Sequence, residues 1–163
     1  MNLKIIIQEI TQTEITQLDK FLYEAIFIPE GQKKVDRAII KSPLLSRYIK
    51  DFGQEDDDIC FVAKIHGKLI GAIWTRCFNE TEPGFGYVDL KTPELSMSVL
   101  PEYQQKGIGT ELLKTMISKL KICNYKQVSL SVDKQNYAIK WYEKFKFAPY
   151  NSSEKSVIMV KSL

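Results

Sequence analysis

The stretch Gln104-Gln105-Lys106-Gly107-Ile108-Gly109-Thr110 has the composition of an anion-binding loop. It follows the alternating, largely apolar Leu95-Ser96-Met97-Ser98-Val99 and opens a strongly periodic segment. A strand that turns through Gly-x-Gly into a helix leaves backbone N–H groups unpaired at the helix start. Those donors, together with the helix dipole, favour a phosphate. Gly107 and Gly109 let the backbone approach such an anion with no Cβ in the way. The expectation is therefore a phosphate-bearing ligand at residues 104–110, against the plainer reading that the two glycines only shape a tight turn.

Three glycine-rich patterns compete for this loop. The dinucleotide-binding one needs a third glycine three residues after the second, where Leu112 stands. The P-loop ends in Gly-Lys-Ser/Thr, which Gly109-Thr110-Glu111 does not supply. The remaining pattern, Gln/Arg-x-x-Gly-x-Gly/Ala, is met by Gln104 to Gly109. It resembles the pyrophosphate loop of the GNAT family of N-acetyltransferases, which bind acetyl-coenzyme A. A second segment, Asn136-Tyr137-Ala138-Ile139-Lys140-Trp141-Tyr142-Glu143-Lys144-Phe145-Lys146-Phe147, resembles the family's later Asn-x-x-Ala-x-x-x-Tyr-Glu-Lys-x-Gly-Phe. Ser98-Val99-Leu100-Pro101-Glu102-Tyr103 is similar to the exit of its fourth strand. The resemblance runs from Glu94 to Phe147, about a third of the chain. Two positions depart from the pattern. Gln104 stands where the family more often has Arg, so one charge toward the pyrophosphate is missing, while Lys106 still offers a cation. Lys146 stands where glycine is usual, at a helix end that prefers a left-handed residue.

The resemblance implies an α+β fold: a mixed, mostly antiparallel central sheet flanked by helices, splayed where the cofactor enters. It also implies roles. The backbone of Met97, Ser98 and Val99 would hold the pantetheine arm and face the thioester oxygen. Gln104, Gln105, Lys106, Gly107, Ile108, Gly109 and Thr110 would bind the pyrophosphate, and Asn136 would hydrogen-bond the pantetheine. Tyr142 would protonate the coenzyme A thiolate, and Glu94 would act as base, directly or through a water, with Asp89 a weaker substitute. Such a reaction needs a neutral amine, a donor for the thioester oxygen and a proton for the departing thiolate. The implied activity is transfer of acetyl from acetyl-CoA to a primary amine, on a small molecule or a protein, by direct attack in a ternary complex. Each role has a structural competitor: Tyr142 as a core tyrosine, Asn136 as a helix cap, Glu94 as a solvated strand-end carboxylate. Two rival readings of the whole chain remain, a non-catalytic acyl-CoA-binding module and a Rossmann-type nucleotide binder.

The 163 residues, 44% hydrophobic and 26% charged, suit a single domain spanning 1–163 with its own core. A net charge of +3 and the lack of a run of five basic residues argue against nucleic acid as partner. Neither a 20-residue apolar stretch nor a charged-then-apolar leader occurs, so membrane insertion and secretion are not expected and a cytoplasmic location is. Cys60, Cys77 and Cys123 are odd in number and widely spaced, which fits reduced thiols. With His66 the single histidine, no metal site is expected. Oligomeric state, monomer or homodimer, is open.

These residues need a scaffold, and the patterning supplies one. Leu3 to Ile10 reads as a strand; Thr11 and Glu14 resemble a capping box for a helix whose apolar face holds Ile15, Leu18, Phe21, Leu22, Ala25 and Ile26. Lys33 to Ile49 reads as a second helical region interrupted by Ser42-Pro43. Ile59–Ile65 and Leu69–Cys77 form an antiparallel hairpin about His66-Gly67-Lys68. Residues 79–93 read as an irregular loop, Glu94–Val99 as the strand feeding the glycines, and the helix after them carries Ile108, Leu112, Leu113, Met116, Ile117 and Leu120 on one stripe. Gln127–Val132 is a strand, 136–145 a helix and Ser156–Lys161 a last strand. Trp74, Phe85, Tyr87 and Tyr103 are candidates for an acceptor cleft.

Overall fold

The computed structural model describes residues 3–163. Seven strands make one sheet: β1 (Ile6–Glu9), β2 (Ile59–Ile65), β3 (Lys68–Arg76), β4 (Glu94–Val99), β5 (Gln127–Asp133), β6 (Ala148–Ser152) and β7 (Ser156–Ser162), in the spatial order β1-β2-β3-β4-β5-β7-β6. Every neighbouring pair is antiparallel except β4 and β5, which run parallel. The helices are α1 (Leu18–Glu24), α2 (Pro43–Ser46), α3 (Ile108–Ile122) and α4 (Ala138–Lys144). The expected mixed, mostly antiparallel sheet flanked by helices is what forms.

Alternation along the strands sorts side chains into two layers. Ile59, Phe61, Ala63 and Ile65 of β2 face α3, with Leu112, Leu113, Met116 and Leu120 against them and α4 alongside. Cys60 and Val62 face the other way, with Leu69, Ala72 and Trp74 of β3, and pack on Leu18, Phe21 and Leu22 of α1. The hairpin closes where it is expected. His66 (φ 48°) and Gly67 (φ 78°) both lie in the left-handed region, as a tight two-residue turn between twisted strands requires.

Several boundaries differ from the sequence expectation. The first strand pairs only over Ile6–Glu9. The Thr11/Glu14 capping box is present, but the residues after it, Gln12–Gln17, wind as a 3-10 helix before α1 begins. Lys33–Asp36 is not helical; Asp36 Oδ1 accepts from Ala38 N (2.7 Å) and starts a 3-10 turn over Arg37–Lys41, after which Pro43 opens α2. Strand β6 is missing from the sequence reading. It is an exposed edge strand whose Pro149, Tyr150 and Asn151 show no apolar alternation.

Candidate functional site

Strands β4 and β5 share a single rung, Glu94 opposite Ser129, where Ser129 N donates to the Pro93 carbonyl (3.0 Å). Beyond it they part. Leu100 N donates to Ile70 O of β3 (2.9 Å), so by the two-residue period Ser98 and Ser96 also direct their backbone groups to β3. Met97 and Val99 therefore aim their N–H and C=O groups into the opening. The Val99 carbonyl accepts from Gln104 Nε2 (2.9 Å), whereas Met97 has no strand partner on that side among the described residues. Unpaired backbone donors beside a cleft are ready to receive a polar ligand.

The opening belongs to a cleft of about 730 Å³. One wall is Leu95–Val99 of β4, the opposite wall Leu130–Asp133 of β5 with Asn136, Ala138 and Tyr142, and the third the chain after α1 with Tyr48 and Phe85. Volumes of this order suit a cofactor-sized molecule.

Glu94 lies in this cleft, and it is not the solvated strand-end carboxylate of the plainer reading. Its exposure is 3%, and both carboxylate oxygens are hydrogen-bonded. Gly86 N donates to Oε1 (2.9 Å), and the Tyr48 hydroxyl donates to Oε2. Burial pushes the carboxyl up to about 7, a rise that the Tyr48 and Gly86 hydrogen bonds hold back. A carboxyl poised there is half ionised at neutral pH, which suits a base. The loop that cradles it contains two glycines for a steric reason. A Cβ on Gly84 would stand 2.2 Å from Glu94 Oε1, and one on Gly86 would stand 2.8 Å from the Leu130 carbonyl carbon.

Tyr142 reaches the cleft from α4, its ring edge-on to Trp141 (5.0 Å) and Phe147 (5.5 Å). Burial raises its phenol above the ordinary range, so the proton stays on the oxygen at neutral pH. Core packing and cleft lining are thus both true of this residue. Asn136 also lines the cleft, and its Oδ1 accepts from Ala138 N (2.9 Å) as a cap for α4, which leaves its amide NH₂ group.

The glycine loop turns into α3 through Gly107, whose φ of 82° is left-handed. Gln104 N donates to Pro101 O, and Glu111 N to Gly107 O. Between them the N–H groups of Gln105 to Thr110 find no backbone acceptor among the described residues. Gly109 lies against the Met97 methyl, where a Cβ would sit at 3.4 Å, so the loop and β4 are packed together. Gln104 and Lys106 are exposed, and the Lys106 ammonium lies 5.7 Å from the Tyr103 ring centre. The Ser98 hydroxyl donates to Phe21 O (2.7 Å) and so anchors α1, and with its backbone groups turned to β3 the residue does not present the backbone to the pantetheine that the resemblance implied.

Among the aromatic candidates, Phe85 lines the cleft. Trp74 is 1% exposed and belongs to the core. Tyr87 and Tyr103 pack at the margins of that core and do not line the cleft. Asp89 is tied to Thr92 and Lys91 away from it. Sequence reasoning missed Tyr48, Gly84 and Gly86; the Gly84-Phe85-Gly86 triplet beside an acidic strand start was the available signal. Among the described residues, no group of three His, Cys, Asp or Glu side chains is arranged to hold a metal, and no helix is long and apolar enough to cross a membrane.

A parallel pair parted beside a helix N-terminus, inside a mostly antiparallel sheet, defines the acyl-CoA N-acyltransferase architecture. The model of the acetyltransferase (GNAT) family matches residues 22–147, and the chain belongs to that family. An uncharacterized N-acetyltransferase of Methanocaldococcus jannaschii is 27% identical over 141 residues, covering 81% of this chain and 84% of that protein. An N-alpha-acetyltransferase of Sulfolobus acidocaldarius is 31% identical over 110 residues, covering 61% of this chain and 60% of that protein. The PaiA N-acetyltransferase of Thermoplasma acidophilum, solved with coenzyme A, has the same fold with a TM-score of 0.73 at 20% identity, covering 99% of this chain and all of that one (100%).

Proposed function

We propose that this chain transfers an acetyl group from acetyl-CoA to a primary amine by direct attack, with no covalent enzyme intermediate. One observation carries the reading: the gap between β4 and β5 opens on a cleft that also contains the Glu94 carboxyl and the Tyr142 phenol. The residues fit the cofactor. The free N–H groups from Gln105 to Thr110, with α3 behind them, suit a diphosphate. The backbone of Met97 and Val99 and the amide of Asn136 suit the amides of a pantetheine arm in place of a neighbouring strand.

Acetyl-CoA, when bound, supplies the acetyl thioester. Glu94, half ionised near pH 7, takes a proton from the incoming ammonium, directly or through a water, so that a neutral amine attacks. The Met97 N–H, fixed in place by the β3–β4 ladder, is the donor for negative charge developing in the cleft. Tyr142 holds a proton at its oxygen for the departing thiolate. The similarity to an N-alpha-acetyltransferase makes peptide N-termini one acceptor class to test, beside small amines and lysine side chains.

The test is thiol release from acetyl-CoA against a panel of peptide N-termini, polyamines, amino acids and lysine peptides, with thermal-shift titration of coenzyme A alongside. Amine-dependent thiol release with matching acetylated product is the expected result. Stabilisation by coenzyme A without turnover on any amine would leave an acyl-CoA-binding module, and no stabilisation at millimolar coenzyme A would remove the cofactor assignment.

A further inference from the structure

The Tyr48 hydroxyl stands at a junction between the Glu94 carboxyl and the Gly84–Gly86 bend. It donates to Glu94 Oε2 and accepts from Phe85 N (2.7 Å), so one oxygen joins the carboxyl to the backbone of an exposed aromatic on the cleft wall. Tyr48 itself is 6% exposed and held on three further sides. Its carbonyl accepts from Trp74 Nε1 (3.2 Å), and its ring lies edge-on to Phe78 (4.9 Å) and stacked with Phe85 (6.3 Å). The loop it grips is strapped from outside as well, by Arg47 to Pro83 O (2.6 Å) and by Ser129 Oγ to Gly86 O (2.7 Å). Phe85, by contrast, is 51% exposed in the midst of this buried scaffold. An immobilised backbone carrying a half-exposed ring at a cleft is what a substrate-facing wall requires.

We propose that Tyr48 is a positioning residue that sets the Glu94 carboxyl and the Phe85 wall as one unit on the acceptor side of the cleft. The inference rests on the reading of Glu94 as the base. Burial, and then the nearby charge of Glu94, hold the Tyr48 phenol protonated, so toward the carboxylate it acts as donor at any working pH. Donation to the ionised form favours that form and holds the Glu94 titration down toward neutrality against the effect of burial. The other charged groups near this junction are engaged or lie along the cleft. Arg76, paired with Glu94 across β3 and β4, directs its guanidinium to Asp58 (2.8 Å), and Arg47 bonds carbonyls of Pro43 and Pro83. Glu24 borders the same cleft from the end of α1, Lys34 from the chain after it, Asp133 from β5 and Tyr142 from α4.

Two readouts in the full chain test this without an acceptor. Carbon-13 NMR of the glutamate carboxyls, with Glu94→Gln to assign the signal, gives the Glu94 midpoint; amide hydrogen exchange gives the protection of Phe85. In Tyr48→Phe the midpoint should rise by about one pH unit, and Phe85 should exchange about tenfold faster or more. Either readout staying at its wild-type value overturns the coupling. Should Tyr48→Phe fail to fold, incorporation of a difluorotyrosine at position 48, a stronger donor, must lower the Glu94 midpoint; an unchanged midpoint is equally damaging. Turnover separates the two layers. The acid limb of the rate profile should move with the midpoint in Tyr48→Phe, whereas full activity in Glu94→Gln defeats the base assignment on which the positioning role depends.

Discussion

Replacing Glu94 by Gln should make the protein more stable at alkaline pH while stopping its chemistry. The carboxyl titrates at about 7 in the folded chain, against 4.5 for an ordinary glutamate. Between those values the folded state keeps a proton that the unfolded state has released, so stability falls as pH rises through the window. Below pH 4.5 both states are protonated and Glu94 costs nothing; above 7 the folded chain carries a buried carboxylate. A gap of two and a half units, at 1.36 kcal/mol per unit, makes the cost about 3 kcal/mol. Gln cannot titrate, and this dependence disappears with it. Urea unfolding of both proteins at pH 4.5, 6 and 8 gives the difference directly, because contributions from all other groups cancel. The stability of Glu94→Gln minus wild type should climb by about 3 kcal/mol from pH 4.5 to 8. Parallel stability curves for the two proteins would refute the argument that burial raises this carboxyl.

Other substitutions probe separate parts of the site and scaffold. Tyr142→Phe should lower kcat by about 100-fold or more at saturating substrates while coenzyme A affinity, read by calorimetry, is unchanged; wild-type kcat would count against the proton-donor role. Gly86→Ala places a Cβ 2.8 Å from the Leu130 carbonyl carbon and should cost about 1–3 kcal/mol in denaturant unfolding, with turnover reduced as Glu94 is displaced. Lys146 has a φ of 70°, so Lys146→Gly should add about 1 kcal/mol and raise Tm by about 2–4 °C without affecting activity. The Thr75 hydroxyl is buried with no partner among the described residues, and Thr75→Val should raise stability by about 1 kcal/mol.

Where local pattern and long-range packing agree, the sequence was legible. The hairpin about His66-Gly67, the stripe on α3 and the alternation of β5 each depend on a period and a turn chemistry visible in a few adjacent residues. The left-handed backbone at Lys146 was legible too, through the glycine that the resemblance led one to expect. Strand β6 was not, because its residues are exposed on both faces and its pairing with β7 gives it no apolar signature. The 3-10 winding of Gln12–Gln17 and Arg37–Lys41 escaped for a different reason: short helices of either kind share the same caps and breakers. At the site, the glycine loop and the candidate Tyr142 were legible as local motifs. The burial of Glu94 was not, since it is produced by Tyr48, 46 positions earlier, and by a loop whose sequence reads as irregular.

With one rung of backbone pairing between Glu94 and Ser129, the sheet is mechanically two plates, β1 to β4 and β5 to β7. Their relative setting is governed by what lies across the seam: α3 and α4 beneath it, and the Gly84–Gly86 bend wedged between the Glu94 carboxyl and the Leu130 main chain above it. The width of the mouth is thus a matter of side-chain bulk rather than of a peptide ladder. Residues on the undersides of the plates, remote from any reacting atom, are thereby given a say in how wide the groove stands.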